Sequence, residues 1–151
     1  MSDYKIIKQD YSGLDKNMKI AFVSAEFNRH FTEKQENFNQ KLLEKNGFFN
    51  IEKFLVPGAL EIPAFLNKLI DKKNIDLIFC FGVVIRGGTS HYDIVINQSA
   101  NGISEISKTK ENPAIINGIL TCENEQQVVD RLENNFAISG LNFLNEINKL
   151  G

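Results

Sequence analysis

The 151-residue sequence has little of what marks a metal site, a disulfide framework or a nucleic-acid-binding protein. Its two cysteines lack metal-ligand spacing, and CxxC and HExxH patterns are absent, so we expect reduced thiols and no metal. The formal net charge of -2 gives no basic footprint for nucleic acid. No apolar run approaches the ~20 residues of a membrane helix, and the first residues lack the apolar core of a secretory signal. We therefore expect a cytoplasmic protein with neither nucleic acid nor membrane as a partner.

Common nucleotide-binding and hydrolase motifs are missing as well. The loop Gly82–Gly88 lacks the Gly-Lys-Ser/Thr of a P-loop, and no GxGxxG follows the first predicted strand. A nucleophile elbow is also absent. The length and the 42% hydrophobic fraction are ordinary for one globular domain. We expect a single domain over residues 1–151, in which residues 1–17 form a polar N-terminal arm.

Strand and helix patterns alternate along the chain. A short strand or arm is predicted over Tyr4–Lys8, and a capping box of Thr32 and Gln35 predicts the start of a helix that ends before Gly47. This alternation predicts the α/β class, with a parallel sheet covered by helices on both faces. The strands are predicted over 19–24, 49–56, 77–85 and 113–120, and the helices over 32–47, 60–72, 91–109, 124–134 and 141–150.

The segment after the third strand predicts an anion site. The apolar run Leu77–Ile85 ends in Arg86-Gly87-Gly88, and Ser90 with Asp93 matches a capping box that starts a helix near His91. Adjacent glycines let the backbone fold tightly and approach a ligand. Unpaired amides and the positive end of the helix dipole converge at such a turn. The segment therefore indicates chemistry on a phosphorylated small molecule.

His91 and the scarce arginines are the candidate reactive groups of this site. The helix dipole disfavours a protonated imidazole, so we expect a neutral His91 that can exchange protons as a general acid–base. The alternative is a loop histidine that only caps or packs. Arg131 could reach the ligand edge of the sheet and bind phosphate with its planar fork, or be a surface residue. Arg86 could be structural, pairing with Asp93 or Glu61.

Two further candidates follow the first and second strands. Glu61 comes just after the Pro57-Gly58 break, where it could recognise a polyol or an amine, or simply complement a helix dipole. Phe27 could stack on a planar heterocycle, or pack in the core. These loops all follow the carboxyl ends of predicted parallel strands, where such sheets bind ligands.

Several segments in this order resemble the 6,7-dimethyl-8-ribityllumazine synthase family. They are Phe27-Asn28, residues 56–63 (VPGALEIP), residues 82–93 (GVVIRGGTSHYD), Asn101-Gly102-Ile103, and Gly118–Thr121 with Glu125-Gln126 and Arg131. The resemblance implies a flavodoxin-like three-layer α/β/α sandwich with a four-stranded parallel sheet. It also implies pentamers with active sites between neighbouring subunits, and an N-terminal arm that adds a strand to the neighbouring subunit's sheet.

The resemblance further implies the reaction and the roles of individual residues. The substrates are 5-amino-6-(D-ribitylamino)uracil and 3,4-dihydroxy-2-butanone 4-phosphate, which condense without cofactor or metal in riboflavin biosynthesis. The product is 6,7-dimethyl-8-ribityllumazine, released with phosphate and water. His91 would transfer protons and Arg131 would clamp the phosphate. The implied contacts are Phe27 on the pyrimidine, Ala59, Leu60 and Glu61 on the ribityl chain, Val83, Val84 and Ile85 on the polar ring edge, and Gly88 and Thr89 on the phosphate.

Two features depart from the family pattern. Asn117 stands where the family commonly has an aromatic residue, which changes one wall of the pyrimidine pocket. Residues 132–140 lack the lysine of the family's glycine- and lysine-rich turn, so we expect a pentamer or a pair of pentamers rather than a sixty-subunit capsid. The alternatives are a catalytically weak lumazine- or flavin-binding assembly and a generic flavodoxin-like phosphate-binding module.

Overall fold

The apolar runs form a four-stranded parallel sheet in the computed structural model, which describes residues 5–109 and 111–151. The strands are β1 (Ile20–Ala25), β2 (Ile51–Val56), β3 (Leu77–Ile85) and β4 (Ala114–Cys122), in the spatial order β2-β1-β3-β4. The helices are α1 (Arg29–Lys45), α2 (Ile62–Lys72), α3 (His91–Ser107), α4 (Glu125–Arg131) and α5 (Phe136–Asn148), with a 3-10 turn over Ala59–Glu61. The α/β class and the four parallel strands are confirmed. No helix of the described residues combines the length and apolar character needed to cross a membrane.

Helices cover both faces of the sheet, as the sequence predicted. On one face Phe22 and Phe79 pack with Leu141 under α1 and α5. On the other face Cys80 packs with Ile103 under α2 and α3. Because β3 is central and both of its faces are covered, it is apolar along its whole length rather than alternating. The three-layer sandwich is therefore confirmed.

Both cysteines are free and buried. Cys80 is enclosed by the two layers of helices, and its burial raises the pKa of the thiol to about 12. The thiol therefore stays neutral near pH 7 and behaves as a small core residue. Cys122 is the last residue of β4.

Helix α1 begins at Arg29 rather than at Thr32. Its N-cap is Asn28, which has the left-handed conformation with φ 60°. The side chain of Thr32 is buried, and its hydroxyl donates a hydrogen bond to the carbonyl of Ala25 (2.9 Å). The predicted capping box of Thr32 and Gln35 is wrong, because Asn28 turns the chain immediately after β1 and both side chains then face the interior.

Helix α3 begins at His91 as predicted, although the predicted capping box does not form. Ser90 is the N-cap, but its side chain makes no capping hydrogen bond. The Asp93 carboxylate lies instead 3.7 Å from the guanidinium of Arg86. Arg86, just after β3, therefore holds the first turn of this helix, and the side chain of Ser90 does not.

Other helix boundaries follow local chemistry. Gly47, just after the C-cap of α1, has the positive φ (93°) expected of a residue that ends a helix. Pro63 lies in the first turn of α2, as predicted. Helix α5 begins at Phe136 rather than at residue 141, because the side chain of Asn135 accepts a hydrogen bond from the amide of Ile138 (3.1 Å) and caps it.

The N-terminal arm runs along α5 of the same chain. Residues 5–10 form no strand, and Tyr4, the first residue of the predicted strand or arm, lies outside the described residues. An asparagine on each of three turns of α5 donates its side-chain amide to an arm carbonyl. The pairs are Asn142 with Ile7 (2.9 Å), Asn145 with Asp10 (3.0 Å) and Asn148 with Gly13 (3.3 Å).

Candidate active site

A cavity of about 390 Å³ lies at the carboxyl ends of β1 and β3. These two strands form the switch point of the sheet, because the chain continues from β1 to β2 on one side and to β3 and β4 on the other. Open parallel sheets bind their ligands at this point. The predicted site residues that line the cavity are Phe27, Ala59, Leu60, Glu61, Val83, Val84, Ile85, Thr89 and His91.

Phe27 presents an exposed ring to this cavity. The side chain is 72% exposed, so the alternative of core packing is wrong. Its amide donates to the carbonyl of Pro57 (3.1 Å), which fixes the loop after β1 against the loop after β2. An exposed aromatic ring at a cavity rim can stack on a planar ligand.

Glu61 ends the 3-10 turn that precedes α2. Its amide donates to the carbonyl of Gly58 (3.1 Å), and its carboxylate is exposed beside the cavity. A Cβ at Gly58 would lie 3.2 Å from a carboxylate oxygen of Glu61, so the side chain curls back over its own turn. The carboxylate can accept hydrogen bonds from hydroxyl groups of a ligand at this place.

The loop between β3 and α3 is open to a ligand. A Cβ at Gly87 or Gly88 would meet no atom within 4 Å, and neither glycine has a positive φ. The loop conformation therefore does not itself require glycine, and what the two glycines provide is close approach to the backbone. Gly88 does not line the cavity, but it lies between Gly87 and Thr89, which do.

His91 stands at the amino-terminal end of α3. Its amide donates to the hydroxyl of Thr89 (3.3 Å), and its exposed imidazole lines the cavity. Helix α3 has 17 residues, so its dipole places partial positive charge at this end. An anion bound between the loop and the helix would meet backbone amides and the imidazole together.

Arg86 is held between α3 and the end of β4. Its guanidinium lies 4.4 Å from the ring centroid of Tyr92 and 3.7 Å from the Asp93 carboxylate, and its Nε donates to Glu123 (2.7 Å). The predicted pairing with Asp93 is confirmed, but the second partner is Glu123 rather than Glu61. These contacts anchor both ends of the loop that carries Thr89.

Arg29 is the remaining one of the three arginines in the sequence, and its guanidinium pairs within its own helix. Its guanidinium donates two hydrogen bonds to the buried carboxylate of Glu36 (2.6 and 3.2 Å). These bonds raise the pKa of Arg29 above its ordinary value. Arg29 therefore stabilises α1 and does not line the cavity.

Asn117 and Arg131, which we call the β4 edge, lie outside the cavity. Asn117 is exposed on β4, which is one of the two edge strands, and its side-chain oxygen accepts a hydrogen bond from the amide of Ile119 (3.0 Å). Arg131 ends α4, where its guanidinium lies 3.9 Å from the Cys122 sulfur and donates to the carbonyl of Gln127 (3.3 Å). Within one chain these two predicted site residues are not brought together with His91.

Comparison with known sequences agrees with this geometry. The profile of a family described as 6,7-dimethyl-8-ribityllumazine synthase matches residues 17–145. The chain belongs to this family. Relatives from Campylobacter jejuni with that same name, from serotypes O:23/36 and O:2 and from strain RM1221, are each 38% identical over 120 residues. The aligned part covers 78% of this chain and 77% of each relative.

Membership in the lumazine synthase family confirms the resemblance that the sequence segments predicted. The matched range includes the cavity and the β4 edge alike. Lining residues that the sequence interpretation missed include Tyr92 and Val95, which lie three apart on the inner face of α3. Their spacing of three residues in the predicted helix places them on one face, and this spacing was the signal that could have identified them. Over residues 5–109 and 111–151, no three His, Cys, Asp or Glu side chains are grouped as metal ligands would be.

Proposed function

We propose that this chain condenses 5-amino-6-(D-ribitylamino)uracil with 3,4-dihydroxy-2-butanone 4-phosphate to 6,7-dimethyl-8-ribityllumazine, a step of riboflavin biosynthesis that releases phosphate and water. The family match and the names of the relatives point to this reaction. The structural observation that carries the proposal is the cavity itself. It gathers an exposed aromatic ring, a carboxylate and an imidazole at a helix N-terminus.

The pyrimidine substrate would occupy the part of the cavity between the ends of β1 and β3. Phe27 would stack on the ring, and backbone groups of Val83, Val84 and Ile85 would bind its polar edge. The turn of Ala59, Leu60 and Glu61 would hold the ribityl chain, because its carboxylate and backbone groups suit hydroxyl donors and acceptors. Support for this arrangement comes from the lining of the cavity by all of these residues.

The phosphate of the second substrate would lie at the start of α3. Gly88 and Thr89 would offer backbone amides and a hydroxyl, and the dipole of α3 would favour the negative charge. None of the described residues that line the cavity is a lysine or an arginine. A phosphate dianion would therefore need a cationic partner from outside this cavity.

His91 would transfer protons during the reaction. The amino group of the uracil adds to the ketone, water leaves and an imine forms. A proton is then removed from the hydroxyl-bearing carbon of the butanone chain while the phosphate leaves with the electrons of its C–O bond, which gives an enol. The enol becomes a ketone when its terminal carbon takes up a proton and its hydroxyl loses one, and the ribitylamino nitrogen adds to this ketone and closes the ring with loss of water. The exposed imidazole of His91 at the phosphate end can take a proton and return one to a departing oxygen.

The missing cation would come from the β4 edge of a neighbouring copy. Arg131 would clamp the phosphate bidentately, and Asn117 would form one wall of the pyrimidine pocket. We propose a homo-oligomer, as a pentamer or a pair of pentamers. On assembly the arm of residues 1–17, which within one chain is bonded to α5 at Ile7, Asp10 and Gly13, would exchange part of these bonds for a strand added to the adjacent sheet. The outer strand β2 supports this, since no other strand of the described residues pairs with its outer side and Leu55 is exposed there.

The short connection between α4 and α5 supports the smaller assemblies over a capsid. It spans residues 132–135 and contains neither glycine nor lysine. We further propose one catalytic domain over residues 1–151, located in the cytoplasm. The two free thiols are compatible with a reducing compartment.

The direct test is turnover by the purified protein. With both substrates present we expect formation of the fluorescent lumazine, and in solution a mass several times that of one chain. A folded oligomer that gives no lumazine even at high enzyme concentration would refute the proposal. Tight flavin binding without turnover would instead indicate a binding assembly, which the family match does not favour. A monomer would indicate a generic phosphate-binding module.

A further inference from the structure

The Phe27 ring stands at the rim of the cavity without a core to hold it. Because the side chain is 72% exposed, packing does not set its direction. The main chain of Glu26–Asn28 must therefore set it. On the β2 side the amide of Glu26 donates to the carbonyl of Val56 (2.7 Å), and the amide of Phe27 donates to the carbonyl of Pro57 (3.1 Å).

Asn28 makes the corresponding link on the β3 side. Strands β1 and β3 pair as far as Ser24 and Phe81. Beyond that pair, Nδ2 of Asn28 donates to the carbonyl of Val83 (2.8 Å). Since Val83 lines the cavity, this bond ties the loop that carries the ring to another wall of the same cavity.

Asn28 also has the backbone conformation that the loop needs. Its φ of 60° and ψ of 39° make it the one non-glycine residue with positive φ in the described part of the chain. Asparagine adopts this left-handed region more readily than most residues. Its carbonyl accepts from the amides of Phe31 (2.9 Å) and Thr32 (3.1 Å), so the same residue starts α1.

We infer that Asn28 is a positioning residue for the pyrimidine substrate, which acts through Phe27. The side-chain amide and the left-handed turn together hold the exposed ring where it can stack. The inference rests on the proposed function and extends it to a residue outside the cavity lining. Since a carbonyl oxygen has two lone pairs, the bond from Asn28 still leaves the Val83 carbonyl able to accept from the ligand.

Two substitutions at Asn28 remove the side-chain amide and keep the left-handed turn. Asn28→Gly keeps the left-handed conformation at no steric cost and removes the amide. Asn28→Asp keeps the shape but places an acceptor opposite the Val83 carbonyl. An aromatic stack corresponds to a factor of about 2–12 in affinity, which sets the ceiling for a residue that acts through Phe27. We expect both variants to raise KM for the pyrimidine about fivefold, with kcat and KM for the butanone phosphate nearly unchanged.

The deciding measurement adds Phe27→Ala to each Asn28 variant. If Asn28 acts through the ring, Asn28→Gly will not raise KM for the pyrimidine further once the ring is absent. An equal increase in both backgrounds would overturn the inference, as would an unchanged KM in the single variants. Should the glycine variant fail to assemble, the aspartate variant gives the same comparison.

Asn46→Ala is the matched control at the other end of α1. It removes a similar side-chain bond, from Nδ2 of Asn46 to the carbonyl of Leu42 (2.7 Å), far from the cavity. We expect it to lower the thermal unfolding temperature without changing either KM. A general loss of order in the site would raise KM for both substrates together. If the Asn28 variants give that result, the positioning role is wrong. If the wild-type protein forms no lumazine, the proposed function fails and the inference fails with it.

Discussion

The cavity and the β4 edge each supply some of the groups that would bind and react with a phosphate substrate, and neither region supplies all of them. The cavity has a helix N-terminus, open glycines and an imidazole, but among its described lining residues it has no lysine or arginine. The β4 edge has Arg131, whose hydrogen-bond partners among residues 5–109 and 111–151 are a cysteine sulfur and a backbone carbonyl rather than a carboxylate. Each half is incomplete alone. The difference suggests that a working site combines the cavity of one chain with the β4 edge of another.

Removal of the imidazole should have the largest effect on the cavity. We expect His91→Ala to lower kcat about 100-fold, because general acid–base groups contribute factors of 10²–10⁴. Steady-state lumazine formation measures this. The control is His30→Ala, since His30 is exposed and lies outside the cavity against Phe31. A similar loss in both variants would contradict a specific role for His91.

Removal of the Arg131 guanidinium should affect the phosphate substrate alone. Charge-assisted hydrogen bonds contribute about 1.5–3 kcal/mol, so we expect Arg131→Ala to raise KM for the butanone phosphate about 10–100-fold. For Arg131→Lys we expect a KM for the butanone phosphate between those of the wild type and of Arg131→Ala, because lysine keeps the charge but not the planar fork. Initial rates at varied concentrations of each substrate separate the two KM values. An equal rise in KM for the pyrimidine would argue against a phosphate clamp.

The smallest expected effect concerns the departure at Asn117. We expect Asn117→Phe to lower KM for the pyrimidine about threefold, because an aromatic contact contributes about 0.5–1.5 kcal/mol. Asn117→Leu is the control that adds apolar surface without a ring and should give less. The same kinetic measurement decides it. If the two variants are indistinguishable from wild type, Asn117 is not a wall of the pyrimidine pocket.

Sequence patterns predicted the fold well where a segment has a continuous apolar run or a regular spacing of apolar residues. The apolar run of β3 and the start of α3 at His91 are where the sequence placed them. The start of α1 was predicted wrongly. The left-handed conformation of Asn28 starts the helix earlier and buries Thr32, and the spacing of apolar residues does not indicate such a turn. The start of α5 was missed because Asn135 looks like one more polar loop residue until its cap is seen.

The candidate site could be predicted only in part for a different reason. Loops after β1, β2 and β3 meet at one edge of a parallel sheet, so the sequence order alone places Phe27, Glu61 and His91 near one another. Arg131 and Asn117 lie away from that meeting point within a chain. Spacing along one sequence carries no information about contacts between copies, and the family resemblance was the signal that assigned these two residues to the site.

The most direct test of a shared site is complementation between two impaired variants, assayed at a butanone phosphate concentration well below the KM of the Arg131→Ala protein. His91→Ala and Arg131→Ala proteins are dissociated together, reassembled and assayed for lumazine formation. If neighbouring chains share a site, mixed oligomers should regain activity at about a quarter of their sites, where an intact cavity meets an intact β4 edge. Mixing His91→Ala with the double variant should restore nothing. Mixed oligomers that are no more active than the average of the two separate variants would contradict the shared site.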